Sequence, residues 1–190
     1  MNSLFKVSGL WTEGFVFDKY IRQSIYTGDD VFGNPQFNTT YTEIGKLLHD
    51  IKYNGHIDTS SDIALQCNDF LQEWLQKINV DIIIPVPPTI RREVQPIFSI
   101  TEAIAEKLNV PFTEKVLFKA EGLPSKNMDK TNKNIEGTIV QLKPAKRNCN
   151  ILLVDDLYST GATANECVTV LKRDPLIKNI YFFAIAKTKE

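Results

Sequence analysis

Apolar residues recur along this chain in two rhythms, and each rhythm predicts a different element. From Ile151 to Val154 four apolar residues run without interruption, and Ile82-Ile83-Ile84 forms a similar core inside 80–86. Short unbroken runs fit strands buried on both faces, as in a parallel sheet. Helical spacing takes over elsewhere. Ile44, Leu47, Leu48 and Ile51 share one face of a helix that begins after Thr40, where Thr40 and Glu43 stand at capping-box spacing, and that ends near Asn54-Gly55. Ile63, Cys67, Phe70, Trp74 and Ile78 make the stripe of a second helix over 58–79, and two more helices are predicted over 96–108 and 164–173. Strands are expected at 115–119, 137–142 and 180–187. Near the N-terminus, alternation over 4–11 and 15–20 on either side of Thr12-Glu13-Gly14 predicts a pair of short strands, followed by a turn-rich loop over 28–38. Trp11, Phe15, Phe17, Tyr20 and Tyr26 read as local core, with stacking on a base as the alternative use of one of these rings.

Strands alternating with helices predict an α/β domain with a mainly parallel central sheet and a ligand at the carboxyl ends of its strands. The 190 residues are 43% hydrophobic and 24% charged, which fits one soluble globular domain with a real core. No apolar run approaches a membrane span, and no basic segment followed by an apolar stretch opens the chain, so a cytoplasmic protein is expected. Cys67, Cys149 and Cys167 are odd in number and widely spaced, which predicts reduced thiols rather than disulfides or a zinc site. His49 and His56 lack metal-type companions and read as surface or capping groups.

A formal net charge of −1 argues against bulk nucleic-acid binding. Charge is nonetheless unevenly spread: between Lys115 and Arg147 eight basic side chains face three acidic ones. A basic loop opposite an acidic strand edge suits a polyanion bridged by a cation, whereas in isolation the same stretch would be a solvated lysine-rich loop.

The acidic edge lies in residues 151–163, ILLVDDLYSTGAT, which lead from the buried strand through two carboxylates and a hydroxylated loop into a helix. Asp155 and Asp156 therefore fall where parallel sheets bind their ligands. Ser159, Thr160 and Thr163 supply hydroxyl donors, Gly161 allows a turn that a Cβ would resist, and the amides entering the helix lack intrahelical partners. That combination suits a phosphate. Ionised carboxylates only accept hydrogen bonds, so the acid pair suits adjacent hydroxyls or a hydrated divalent cation. A phosphate at one end and a diol in the middle describe a ribose 5-phosphate. An ordinary strand and turn would account for the apolar run but not for two acids beside three hydroxyls. A Walker B strand is the other rival, yet the chain contains no G-x-x-x-x-G-K-[ST] loop.

The same thirteen residues resemble the phosphoribosyl diphosphate (PRPP) signature of the type I phosphoribosyltransferases. Further stretches are similar to the ComF-like branch of that family. Ile51-Lys52-Tyr53-Asn54-Gly55 resembles the Lys-Tyr-x-Gly stretch ahead of the transferase core, and the prolines at 85, 87 and 88 followed by Arg91-Arg92 resemble the pyrophosphate loop. Residues 122–137 correspond in position to a segment that is arginine-rich in ComF-like proteins and lysine-bearing here, and the paired-cysteine zinc ribbons common in that branch are lacking. The resemblance spans about 44–187. It implies a type I phosphoribosyltransferase-like fold over 1–190, with a small N-terminal hood and the first helix in 1–57 and the core in 58–190. The implied activity is transfer of phosphoribose from PRPP to a nitrogen acceptor with release of pyrophosphate. Asp155 and Asp156 would be the catalytic acids and would hold Mg2+, directly or through water. Ser159, Thr160, Gly161, Ala162 and Thr163 would bind the 5-phosphate, and Arg91 and Arg92 the pyrophosphate, since a guanidinium fork donates two parallel bonds. Lys126, Lys130 and Lys133 would sit on a lid. A PRPP sensor without turnover and a competence-associated accessory protein are the alternatives. The sequence names neither the acceptor nor the oligomeric state, and a homo-oligomer stays open.

Overall fold

The computed structural model describes residues 3–89, 95–120 and 138–188. In chain order the elements are β1 (Phe5–Lys6), β2 (Glu13–Lys19), β3 (Ile21–Asp29), β4 (Pro35–Tyr41), α1 (Glu43–Tyr53), α2 (Thr59–Leu75), β5 (Ile82–Pro85) and α3 (Pro96–Leu108). They continue with β6 (Leu117–Lys119), β7 (Ile139–Gln141), β8 (Cys149–Tyr158), α4 (Ala162–Leu171) and β9 (Ile177–Lys187). The main sheet has five strands in the order β1-β2-β9-β8-β5. All neighbours are parallel except β1, which runs antiparallel to β2. The expected α/β class with a mainly parallel sheet is therefore the observed one.

The unbroken apolar runs are explained by helices on both faces of the sheet. Along β8, Leu152 and Val154 join Phe183 and Ile185 of β9 under α1, α2 and α3. Ile151 and Leu153 join Phe182 and Ala184 under α4. Side chains alternate in this way because successive residues of a strand point to opposite faces. β8 is thus a switch point: α3, which follows β5, lies on one face and α4, which follows β8, on the other.

Several sequence expectations are corrected at the level of elements. The helix after Thr40 is capped by Thr42, whose hydroxyl accepts the Gly45 amide at 3.0 Å. Thr40 lies in β4 instead, paired with Gln23. The stretch 28–38 is not simply loop, because it contributes to the antiparallel β3–β4 hairpin, in which the turn residues occupy only the few positions around Gly33. Of 4–11 only Phe5–Lys6 is strand, while Phe15 to Lys19 belongs to β2, which pairs in parallel with β9. The second helix stops at Leu75 rather than 79, and the last begins at Ala162 and ends at Leu171.

Among the N-terminal aromatics the core reading holds for most. Trp11 stacks on Phe182, Phe15 meets Phe70 and Trp74 edge-on, and Phe17 packs near Phe183. Tyr26 is the exception, exposed on the hairpin beside Phe37. All three cysteines are free thiols; Cys67 and Cys167 are buried and Cys149 partly so. No helix among the described residues is long and apolar enough to cross a membrane.

Candidate functional site

Three prolines open the site. β5 ends at Pro85 opposite Val154, and Val86 donates the last bond of that ladder to the Val154 carbonyl at 2.7 Å. Pro87 and Pro88 carry no amide, so pairing cannot continue. β8, however, runs on to Tyr158 while still paired with β9. Residues 155–158 therefore lie beyond the end of β5, and the crevice between the two carboxyl ends holds a cavity of about 250 Å³. It is lined by Asp155, Asp156 and Leu157 of β8, Thr163 of α4, Val86 to Thr89 after β5, Gln95 to Ile97 at the head of α3, and Lys52 and Tyr53 of α1.

Strand alternation separates the two acids. Asp156 shares the parity of Leu152 and Val154 and turns toward α1, where the Lys52 ammonium meets its Oδ2 at 2.7 Å. Asp155 turns toward the α4 side, and its Oδ1 accepts the Asp156 amide at 2.9 Å. Solvent reaches part of Asp155, yet its carboxyl is largely enclosed by protein. That enclosure, and then the neighbouring Asp156 charge, push its pKa up to about 7, against the pull of the Asp156 amide, Lys52 and the Leu157 amide. Asp155 therefore holds its proton to higher pH than an ordinary carboxyl. Tyr20, behind Asp156, is pushed up to about 12 by burial, with Tyr41, Tyr53 and Asp156 adding to the effect.

The hydroxylated loop adopts the turn that its glycine permits. Gly161 is the N-cap of α4 at φ 75°, and a Cβ there would stand 2.9 Å from Cε2 of Tyr158. No side chain caps α4; Ala162 donates weakly to Thr160 Oγ1 at 3.4 Å. The opening amides of α4 therefore remain available to an anion. Ser159, Thr160 and Ala162 are exposed, and Thr163 is the member of this group that lines the cavity. Arg91, Arg92, Lys126, Lys130 and Lys133 lie outside the described residues.

Sequence reasoning missed Lys52 as a site residue, although the stretch containing it had been singled out. Position 52 lies far from the acids in sequence, and only the packing of α1 brings it to Asp156. Thr89 lines the cavity as well, and Lys119 of β6 donates to its hydroxyl at 3.0 Å. Glu166 of α4, equally unremarked, accepts the amides of Thr138 and Ile139 at 2.8 and 3.1 Å and so ties β7 to the helix that follows the hydroxylated loop. The His49 ring lies between Tyr41 and Tyr53, with centroids 4.9 Å from each.

A divalent cation held by protein groups alone fits this arrangement poorly. One oxygen of Asp156 is taken by an ammonium, and no group of three His, Cys, Asp or Glu side chains that could hold a metal occurs among the described residues.

No family model matches the chain, and no curated protein matches its sequence. Solved structures do. The adenine phosphoribosyltransferase of Leishmania tarentolae is similar at 15% identity and a TM-score of 0.46, over 97% of this chain and 94% of that one. The adenine phosphoribosyltransferase of Saccharomyces cerevisiae is similar at 19% identity and a TM-score of 0.40, over 85% and 83% of the two chains. The UMP synthase of Leishmania donovani is similar at 14% identity and a TM-score of 0.37; the match covers 84% of this chain and 27% of that protein.

Proposed function

We propose that this chain is a phosphoribosyltransferase of the ComF-like kind, a single domain that binds PRPP and transfers its phosphoribose to a nitrogen acceptor with release of pyrophosphate. One observation carries the reading: two adjacent carboxylates and the threonine at the head of α4 line one cavity at the open carboxyl end of β8. The 5-phosphate takes the amides and hydroxyls of residues 159–163, and the ribose hydroxyls take Asp155 and Asp156. Attack at C1 breaks the bond to the diphosphate through an oxocarbenium-like state, as in glycoside chemistry, and the acids stabilise its positive charge. Arg91 and Arg92 take the leaving pyrophosphate, and Lys126, Lys130 and Lys133 close over it. Magnesium bound to the diphosphate of PRPP would neutralise charge on the leaving pyrophosphate.

Magnitudes require several of these contacts together. A helix N-terminus contributes about 0.3–2 kcal/mol, whereas micromolar binding requires about 8 kcal/mol. Charge-assisted bonds at about 1.5–3 kcal/mol each supply the remainder.

Binding and turnover are tested separately. PRPP with Mg2+ should raise the melting temperature, because a ligand that binds only the folded state stabilises it by mass action. Asp155→Asn combined with Asp156→Asn should abolish most of that shift while the ligand-free variant stays folded; an undiminished shift would remove the acids from the site. Turnover is then scored as pyrophosphate release with a panel of purines, pyrimidines, ammonia and glutamine. Binding with silence across the panel selects the sensor reading instead.

A further inference from the structure

The seating of α1 fixes where Lys52 ends. Ile44, Leu48 and Ile51 are buried in the core beneath the helix, and Gly45 lies so close to the Tyr20 carbonyl that a Cβ would collide with it. Lys52 follows directly on Ile51, and its side chain is only 12% exposed where it meets Asp156 at 2.7 Å. The other lysine–carboxylate pairs among the described residues, Lys6–Glu13 and Lys77–Glu73, involve lysines 68% and 66% exposed. Exposed pairs of that kind contribute little and exchange freely with water. An enclosed ammonium is different: removed from water, it persists only with its countercharge beside it. The lysine therefore leaves Asp156 with one oxygen unpaired among the described residues, and the pair as a whole with no net charge. A divalent cation, which needs anionic oxygens, finds its place already taken by a cation.

We propose that Lys52 is the resident counter-cation of Asp156, a positioning residue that keeps this carboxylate turned to ligand hydroxyls and denies it to a divalent metal. Any magnesium then reaches the site already chelated by a diphosphate ligand. The ligand hydroxyls and that last step rest on the PRPP reading; the pairing of Lys52 with Asp156 stands without it. The role also accounts for a feature of the chain that the transfer reaction leaves unexplained, namely a lysine brought in from a helix outside the β5–α3 and β8–α4 units that build the crevice.

The experiment uses Mn2+ as the metal probe, with free ion read by electron paramagnetic resonance in the absence of any sugar phosphate. Wild-type protein should show no submillimolar site. Lys52→Met, which keeps the length and removes the charge, should bind Mn2+ at least tenfold more tightly than wild type. That gain should vanish when Asp156→Asn is added, and Lys52→Arg, which restores a cation, should behave as wild type. A difference under tenfold between wild type and Lys52→Met overturns the proposal. So does a submillimolar Mn2+ site in the wild-type protein, an arm that holds even if Lys52→Met fails to fold. Adding PRPP separates the two hypotheses: if it neither binds nor recruits Mn2+ while the metal series behaves as stated, the substrate reading fails and the counter-cation role survives.

Discussion

Asp155 and Gly161 show what single positions contribute to this site. Asp155 is held at about 7 when folded against an ordinary 3.8, so the folded protein binds this proton more tightly than the unfolded chain. Between about pH 4 and 7 the folded state carries the extra proton, and the contribution to stability falls as pH rises through that window and stays low above it. Asp155→Asn removes the titration. Melts of the two proteins across pH should converge near pH 4 and diverge above it, with the variant more stable at pH 8 by at least ~1 kcal/mol. A constant gap between the curves would show that this carboxyl is not strained by its surroundings. Gly161 acts through the backbone. At φ 75°, with Tyr158 against its missing Cβ, Gly161→Ala should cost about 1–2 kcal/mol in denaturant unfolding and should weaken phosphate binding, because the turn presents the α4 amides. The need for glycine was legible in the sequence; the raised pKa of Asp155 was not, since parity along a strand does not reveal what packs on each side.

At the level of helices and strands, the seat of α1 is the contact on which the acid pair depends. Thr42 donates to the Lys19 carbonyl at 2.6 Å while accepting the Gly45 amide, so one hydroxyl caps the helix and pins it to the end of β2. Gly45→Ala places a methyl against the Tyr20 carbonyl, and overpacking against backbone should cost about 1–3 kcal/mol. It should also shift Lys52 from Asp156, so the Mn2+ site expected of Lys52→Met should appear here in weaker form. On the other face Glu166→Ala strips the acceptor from the Thr138 and Ile139 amides and should destabilise by about 1–3 kcal/mol. The apolar stripes of α1 and α2 were readable from spacing alone. The cap was misplaced by two residues because Thr40 and Thr42 both precede the apolar face, and local pattern does not say which hydroxyl finds a second partner.

Across the molecule, stability is concentrated around the β8–β9 pair and thins toward the hairpin. Phe182 and Phe183 are fully buried on opposite faces of the sheet. Phe182→Ala and Phe183→Ala should each cost about 3–5 kcal/mol. Val31 and Phe32, at the turn of the hairpin, are 93% and 88% exposed. Val31→Ser and Phe32→Ser should change unfolding free energy by no more than about 0.5 kcal/mol. Chemical denaturation of the four variants checks the contrast, and a large loss from Phe32→Ser would mean that the hairpin folds against something beyond this chain. The assignment of 28–38 to loop failed here for a physical reason: a ribbon exposed on both faces carries no alternation of apolar and polar residues to mark it as strand.

What could be read from residue order was whatever depends on neighbours in sequence. The buried run ending in two acids, the hydroxylated turn at Gly161, the proline-forced exit after β5 and the helical stripes all follow from local sterics and spacing, and they were enough to predict a parallel α/β sheet with an anion site at its carboxyl end. Tertiary structure alone decided the partners. Which acid faces α1, that β5 stops four residues short of β8 and leaves a crevice, that β2 completes the sheet beside β9, and that Lys52 crosses about a hundred positions of sequence to reach Asp156 are matters of packing between distant segments. No pattern within a segment encodes such pairings, because the energy that selects them exists only once the layers are assembled.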